Sequence, residues 1–173
     1  SLAKEMVDAA AEAGVDFIKF QTAIPEALVS EHAKKADYQL KHTKTNESQL
    51  EMLKKLLLSF DDFEELYQYC LYKNVPFLST PFDIESMHFL EHFNMKYWKI
   101  PSGEITNYPY LVEAGKTNRD IILSTGMSTM DEIEQAVKIL KETGSGAIKL
   151  LHCNTEYPTQ MKDVNLLAMQ TMR

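Results

Sequence analysis

The residues able to do chemistry stand at regular places in this chain, each just after a short apolar run. The clearest case is 96–108. An apolar stretch, Tyr97 to Ile100, carries a single lysine, Lys99; it breaks into Pro101, Ser102 and Gly103, then offers a carboxylate, Glu104, and an amide, Asn107. Four other runs end alike. Lys19 and Gln21 close the run 15–22, Ser79 and Thr80 close 75–80, Ser124 and Thr125 follow 120–123, and Asn154 and Tyr157 follow 147–151. Two lysines with several hydroxyls suit a phosphate or carboxylate ligand, with charge from lysine and hydrogen bonds from serine and threonine. Glu104 beside such a pocket is placed to act as a base or to orient a hydroxyl. Taken singly, each residue is also what an ordinary cap or a solvated loop acid would be. Recurrence at five strand ends is what points to a site.

Such a site needs rigid elements behind it. Leu2, Met6, Ala9, Ala10 and Ala13 recur at helical spacing and predict a helix over 2–13, with Gly14 as its stop. In the strand 15–22, Ile18 and Phe20 share one face, and Phe17, Lys19 and Gln21 share the other. A lysine inside a barrel is costly unless it meets an anion. The stretch 23–47 is polar and irregular, with a basic patch at Lys34 and Lys35; it suits either a lid or a surface insert. Helices are predicted over 49–58, with Leu50, Leu53, Leu56 and Leu57 facing the core, and over 60–73, opened by a capping box from Ser59 and Asp62. Strand 75–80, helix 84–93, strand 97–100 and a short helix starting at Pro109 follow. Then come strand 120–123, a helix capped by Ser128 and Asp131 and ended near Glu142 by Gly144 and Gly146, strand 147–151, and a last helix capped by Asn165. Strand and helix alternate throughout, which implies a parallel sheet. With chemistry gathered at strand ends, the pattern predicts an α/β fold of the (β/α)8 TIM-barrel type, of which about five strands are present.

Composition narrows the function. The chain has 173 residues, 45% of them hydrophobic and 25% charged, in keeping with one globular domain. A net charge of -7 gives no support to a nucleic-acid partner. No apolar run approaches the roughly 18 residues of a membrane span, and the first residues show no signal-peptide core. Cys70 and Cys153 are too far apart for metal spacing and suit reduced, buried thiols. These features together lead us to expect a cytoplasmic protein. The missing initiator methionine and the helical text at Leu2 lead us to expect a longer parent chain. His152 shares the alternation of Leu150 and Asn154, so it is read either as a structural histidine or as an inward ligand. His88 and His92 stand one turn apart on a helix, a metal-compatible spacing that no other feature supports. The methionines are scattered, as core filler would be.

Five motifs together resemble the sialic acid synthases, the NeuB-like family that includes N-acetylneuraminate and legionaminate synthases. They are Lys19-Phe-Gln-Thr22, Phe77-Leu-Ser-Thr-Pro-Phe-Asp83, Lys99-Ile-Pro-Ser-Gly-Glu-Ile-Thr-Asn107, Ile122-Leu-Ser-Thr-Gly-Met127, and Leu151-His-Cys153 with Tyr157-Pro158. They occur in family order and span nearly the whole chain. The resemblance implies a (β/α)8 barrel followed by a C-terminal antifreeze-protein-like domain, absent here, in a homodimer. It implies condensation of phosphoenolpyruvate with an N-acetylated amino sugar such as N-acetylmannosamine, giving a 2-keto sugar acid and phosphate. By the same resemblance Lys19, Thr80, Lys99, Ser102 and Ser124 would hold phosphoenolpyruvate. Gln21 and Tyr157 would contact the sugar, Asn154 and Thr155 would complete the site, and Glu104 with Lys99 would serve catalysis. A divalent metal, Mn2+ or Mg2+, is implied as a Lewis acid on the sugar aldehyde. Its histidines belong to later motifs of the S-D-H and E-K-H-F kind, which do not occur in this sequence, and neither does the E-I-G-x-N-H-x-G type first strand. The expectation is therefore a partial barrel of a synthase. A diacetamido-sugar synthase making legionaminate or another nonulosonate, a related barrel enzyme using another aldehyde, and a non-catalytic truncated module stay as alternatives.

Overall fold

The computed structural model describes residues 1–35, 40 and 47–173. Within them, helix and strand alternate as α1 (Leu2–Glu12), β1 (Ile18–Thr22), α2 (Pro25–Leu28), α3 (Gln49–Leu56), α4 (Phe60–Tyr72), β2 (Phe77–Pro81), α5 (Ile84–Leu90), β3 (Trp98–Ile100), a 3-10 turn (Ser102–Glu104), α6 (Tyr108–Lys116), β4 (Ile121–Ser124), α7 (Met130–Thr143), β5 (Ile148–Leu151), a second 3-10 turn (Met161–Asp163) and α8 (Ala168–Thr171). The expected strands are all present, each within a few residues of its predicted limits.

All strand pairs are parallel: β1 with β2, β3 with β4, and β4 with β5. β2 lies beside β3 without a ladder. Here the Ser79 amide donates to the sulfur of Met95 at 3.3 Å instead of to a strand carbonyl. β2 is buried along its whole length, whereas β1 and β5 alternate between half-buried and exposed residues. Five strands of this kind form an open arc of a barrel wall.

Strand alternation separates two environments. On the helix side, Phe20 stacks on Phe77 and meets Phe63 edge-on, and Trp98, Ile100, Ile121 and Leu123 are fully buried. Burying a side chain of this size stabilises by about 1.5–3 kcal/mol, so this layer holds the arc together. The opposite parity points into the arc: Lys19 and Gln21, Leu78 and Thr80, Lys99, Ile122 and Ser124, Lys149 and Leu151. The register sets Lys99, Ile122 and Lys149 in one row and Gln21 beside Thr80.

Several local expectations shift. The capping box of Ser59 and Asp62 forms as read, but α7 is capped by Thr129 and Glu132 rather than Ser128 and Asp131, one residue later. α3 opens with a capping box from Ser48 and Glu51 that the sequence reading passed over. On α1 the inward residue is Val7, while Leu2 and Met6 are exposed, so the packed face is rotated from the one expected. Leu56 is also exposed. Asn165 does not cap α8, which starts without any side-chain cap. The stretch 23–47 is not uniformly irregular: it holds α2, and Lys35, expected in a basic surface patch, is buried and pairs with Glu47 at 3.0 Å. Residues 36–39 and 41–46, where Tyr38, Gln39 and Thr43 to Asn46 were expected in that loop, lie outside the described residues. No helix of the described residues is long and apolar enough to cross a membrane.

Candidate active site

The site begins at Lys99. β3 holds this lysine between Trp98 and Ile100, both buried against the helices, so its own side chain is forced into the arc, where it is 7% exposed. The ammonium donates to Ser124 Oγ at 2.7 Å and to the Ile100 carbonyl at 2.8 Å. Among the described residues no carboxylate pairs with it. Burial pulls its pKa down to about 8; the nearby Cys153 pushes the other way, and the charge of Lys19 lowers it further. Lys19 itself is reached by solvent through the open side of the arc, yet surrounding protein desolvates it enough to lower its pKa too. Among the described residues neither lysine has a carboxylate partner, and the charge of Lys19 reaches Lys99, an arrangement whose charge an anion would balance.

Hydroxyls surround these cations. Thr80 is 2% exposed, and its Oγ1 has no hydrogen-bond partner. A buried hydroxyl without a partner is costly, and a ligand oxygen would satisfy it. Ser124 Oγ accepts from Lys99 and lies 3.4 Å from the Cys153 thiol. The loops after β3, β4 and β5 converge on Gly126. A β-carbon built there would sit 3.0 Å from Thr155 Cγ2, 3.3 Å from Ser102 Oγ and 3.4 Å from the Cys153 carbonyl. Thus Ser102 and Thr155, though distant in sequence, flank one glycine.

Glu104 sits at the end of the 3-10 turn after β3. Its Oε2 accepts from the Asn107 amide at 2.6 Å. Asn107 in turn caps α6 by accepting from the Tyr110 amide. The Tyr110 hydroxyl reaches back to donate to the Pro81 carbonyl at 2.8 Å. That phenol is fully buried, and burial, with Glu104 and Asp83 nearby, holds its pKa well above the ordinary tyrosine value. Asp83 clamps the other side of the β2 end: its carboxylate accepts from Ile24 N, Ser86 N and Ser86 Oγ.

The structure therefore joins Lys99 to Ser124, sets the charge of Lys19 within reach of Lys99, places Gln21 beside Thr80 in register, and brings Ser102 and Thr155 together at Gly126. Two expected residues are placed less directly. The Asn154 side chain accepts from Glu156 N within its own loop. Tyr157 is 68% exposed, just before the cis Tyr157–Pro158 bond. His152 shares the parity of Leu150, opposite to that of Lys149 and Leu151, and it lines a cavity with Val137, Leu150 and Met169 as well as its neighbours Leu151 and Cys153; among the described residues no group of three His, Cys, Asp or Glu forms around it. His88 lies 3.8 Å from Glu113, and His92 pairs with the Phe89 carbonyl. Cys153, read as an inert thiol, was missed as a neighbour of Ser124; its even spacing from Lys149 and Leu151 was the available signal. Lys149 was missed as well: it faces into the arc and sits over the Tyr97 ring, 4.7 Å from its centre.

The gathered side chains fit an anion, not a divalent cation. Lysines, hydroxyls and amides dominate, and among the described residues no three His, Cys, Asp or Glu side chains group as metal ligands.

Fold and site define the class: an arc of a parallel α/β barrel with lysines and hydroxyls gathered at the C-terminal ends of its strands. Comparison with known proteins gives the family. A model described as the NeuB family matches residues 6–173, and the chain belongs to that family. It is 49% identical to the N,N'-diacetyllegionaminic acid synthase of Campylobacter jejuni, over 100% of this chain and 52% of that protein. It is 42% identical to the enzyme of the same name from Legionella pneumophila, over 99% of this chain and 49% of that protein. The crystal structure of N-acetylneuraminic acid synthetase from Leptospira borgpetersenii superimposes with a TM-score of 0.81 at 32% identity, over 99% of this chain and 55% of that one. The chain spans about half the length of these relatives.

Proposed function

We propose that this chain forms the phosphoenolpyruvate-binding part of a nonulosonate synthase, which joins phosphoenolpyruvate to the aldehyde form of an N-acetylated amino sugar. The observation that carries this reading is Lys99. It is a lysine 7% exposed, held inside the arc with Ser124 and without a carboxylate. A doubly anionic substrate offers the charge this arrangement lacks. Lys19, Lys99, Thr80, Ser102 and Ser124 would bind its phosphate and carboxylate, with Thr155 closing the space beside Ser102. Gln21 and Tyr157 would face the sugar, and Asn154 would hold the loop between them through Glu156.

The enolpyruvate methylene carbon attacks the sugar aldehyde carbon, forming the new C–C bond, and the aldehyde oxygen takes a proton to become a hydroxyl. Water adds at the neighbouring enolpyruvate carbon, and the C–O bond to phosphate breaks, leaving a 2-keto acid and inorganic phosphate. Glu104, at the end of the 3-10 turn after β3, would move the proton of the attacking water or of the new hydroxyl. In the family a divalent metal supplies Lewis-acid polarisation of the aldehyde when bound; its ligands would come from outside the residues described here.

N-acetylmannosamine is the simplest sugar for this reaction, and it would give N-acetylneuraminate. A second reading is favoured by the relatives. Identity is 49% and 42% to two N,N'-diacetyllegionaminic acid synthases, against 32% to the N-acetylneuraminic acid synthetase structure. That order supports the diacetamido sugar that leads to legionaminate. The test is phosphate release from phosphoenolpyruvate by the full-length protein with Mn2+ and each sugar in turn. We expect release with at least one sugar and faster turnover with the diacetamido one. Release with neither would sink the synthase reading.

A further inference from the structure

We infer that Asn107 is the residue that aims the Glu104 carboxylate, and that it does more than cap a helix. The inference rests on the reading of Glu104 as the proton-transfer group. Asn107 uses both ends of one amide. Its oxygen accepts the Tyr110 N–H at 3.3 Å, while its nitrogen donates to Glu104 Oε2 at 2.6 Å. The first bond settles the second: a backbone N–H needs an oxygen acceptor, so the amide nitrogen must be the atom facing the carboxylate. The backbone closes the same loop, with Asn107 N donating to the Glu104 carbonyl at 3.0 Å.

A glutamate at the end of a three-residue turn has freely rotating side-chain bonds. Holding one oxygen restricts the rotation of the carboxylate and, among the described residues, leaves Oε1 without a hydrogen bond and able to exchange a proton. The anchor behind Asn107 is firm. The amide of Tyr110 is the group it caps, and the Tyr110 hydroxyl is bonded to the Pro81 carbonyl at 2.8 Å, one residue past Thr80. The chain of contacts thus ties the proton-transfer group to the strand end that presents Thr80. Misplacing a reacting group by about 1 Å can cost on the order of 100-fold in rate, so the aim of this carboxylate matters.

A helix cap alone would behave differently, and the difference is measurable. Asn, Asp and Ser cap helices about equally well. Asn107→Ser and Asn107→Asp therefore keep the Tyr110 acceptor. Asp has no proton to give Glu104 and sets a second negative charge against it, while Ser keeps one hydroxyl donor on a side chain too short to hold the carboxylate where the amide nitrogen does. In the full-length protein, assayed by phosphate release, we expect kcat to fall about 10- to 100-fold in Asn107→Ser and further in Asn107→Asp. The KM for phosphoenolpyruvate should stay within about twofold, because the anion ligands are untouched. Melting temperatures of both variants should stay near the parent, while Asn107→Ala, which loses the cap too, should melt lower. Glu104→Gln is measured alongside. If it turns over normally, the reading of Glu104 fails and the aiming role fails with it. If it is inactive while Asn107→Ser and Asn107→Asp keep the parent kcat, the aiming role alone is overturned.

Discussion

Lys99 Nζ donates to Ser124 Oγ at 2.7 Å across the β3–β4 ladder, and the Cys153 thiol lies 3.4 Å from the same oxygen. A serine hydroxyl has two lone pairs and one proton. With both lone pairs engaged, its own proton is left to point into the arc. Lys99 likewise has a third N–H beyond those given to Ser124 and Ile100. The pair presents two donors and one charge to whatever enters, which is the complement of a carboxylate or phosphate.

The charge on Lys99 gives this site a pH dependence. Burial lowers its pKa from the ordinary lysine value, 10.5, to about 8. Below pH 8 the ammonium is present; as pH rises through about 8 the proton is lost, and with it the attraction for an anion. Phosphate monoesters finish ionising near pH 6, so the ligand does not change over this range. Phosphoenolpyruvate affinity, followed calorimetrically in the full-length protein, should be steady near pH 7. Above pH 8 it should weaken by about tenfold for each further pH unit. Affinity that stays level to pH 9.5 would remove Lys99 from the binding site.

The same burial makes Lys99 a liability to the ligand-free fold. Its folded pKa lies below its unfolded value, so between the two the unfolded chain binds more protons and stability rises with pH. Below about pH 8 the penalty is fully present. A displacement from 10.5 to about 8, at roughly 1.4 kcal/mol per pH unit, puts it on the order of 3 kcal/mol. Lys99→Met gives up two hydrogen bonds but removes this penalty. We expect it to raise the melting temperature at pH 7 by a few degrees while abolishing phosphoenolpyruvate binding. A lower melting temperature would mean that the hydrogen bonds of Lys99 outweigh its desolvation.

Gly126 reports on the convergence of three loops. A methyl group there would meet Thr155 Cγ2 at 3.0 Å and Ser102 Oγ at 3.3 Å. Either contact is relieved only by moving a side chain at the site. Gly126→Ala should therefore leave the melting temperature nearly unchanged but weaken phosphoenolpyruvate binding, by about tenfold for a loss near 1.4 kcal/mol. Unchanged affinity would place the Ser102 and Thr155 loops outside the binding space.

Much of this arrangement was legible in the sequence. The five strands announced themselves as short apolar runs closed by polar residues, period-two alternation put Lys19 and Gln21 on one face, and Thr80, Lys99 and Ser124 were legible as strand-end residues. What was not legible has local causes. Ser128 and Thr129 are neighbours, each followed three residues later by an acid, and only the path of the chain chooses Thr129. α1 is rich in alanine, so its periodicity carries little contrast, and the buried Val7 was hidden by the larger Leu2 and Met6. His152 follows Leu150, whose side chain belongs to the helix layer; the edge of that layer could not be read from alternation alone. The link between Asn107 and Glu104 is a three-residue spacing that a bare capping rule explains equally well, until the side chains are placed.

The packing of α6 on α7 carries the strongest stability prediction. Gly115 lies where these helices touch. A β-carbon there would fall 1.8 Å from Thr143 Oγ1, 2.9 Å from Thr143 Cβ and 3.1 Å from the Leu140 carbonyl. The first of these atoms could turn aside, although its hydroxyl is engaged with the Ile139 carbonyl at 2.8 Å. The other two belong to the body of α7 and move only with the helix. In a helix interior alanine is intrinsically better than glycine by about 1 kcal/mol, and although Gly115 stands in the last turn of α6, a neutral or stabilising outcome is what local propensity alone predicts. Overpacking of a close helix contact costs typically about 1–3 kcal/mol and has to overcome that gain. At a separation this short we expect the clash to win, with Gly115→Ala lowering the melting temperature and Thr143→Ala in the same chain recovering part of the loss. Thermal denaturation of the single and double variants decides it: a Gly115→Ala protein that melts above the parent would show that α6 and α7 stand farther apart than described.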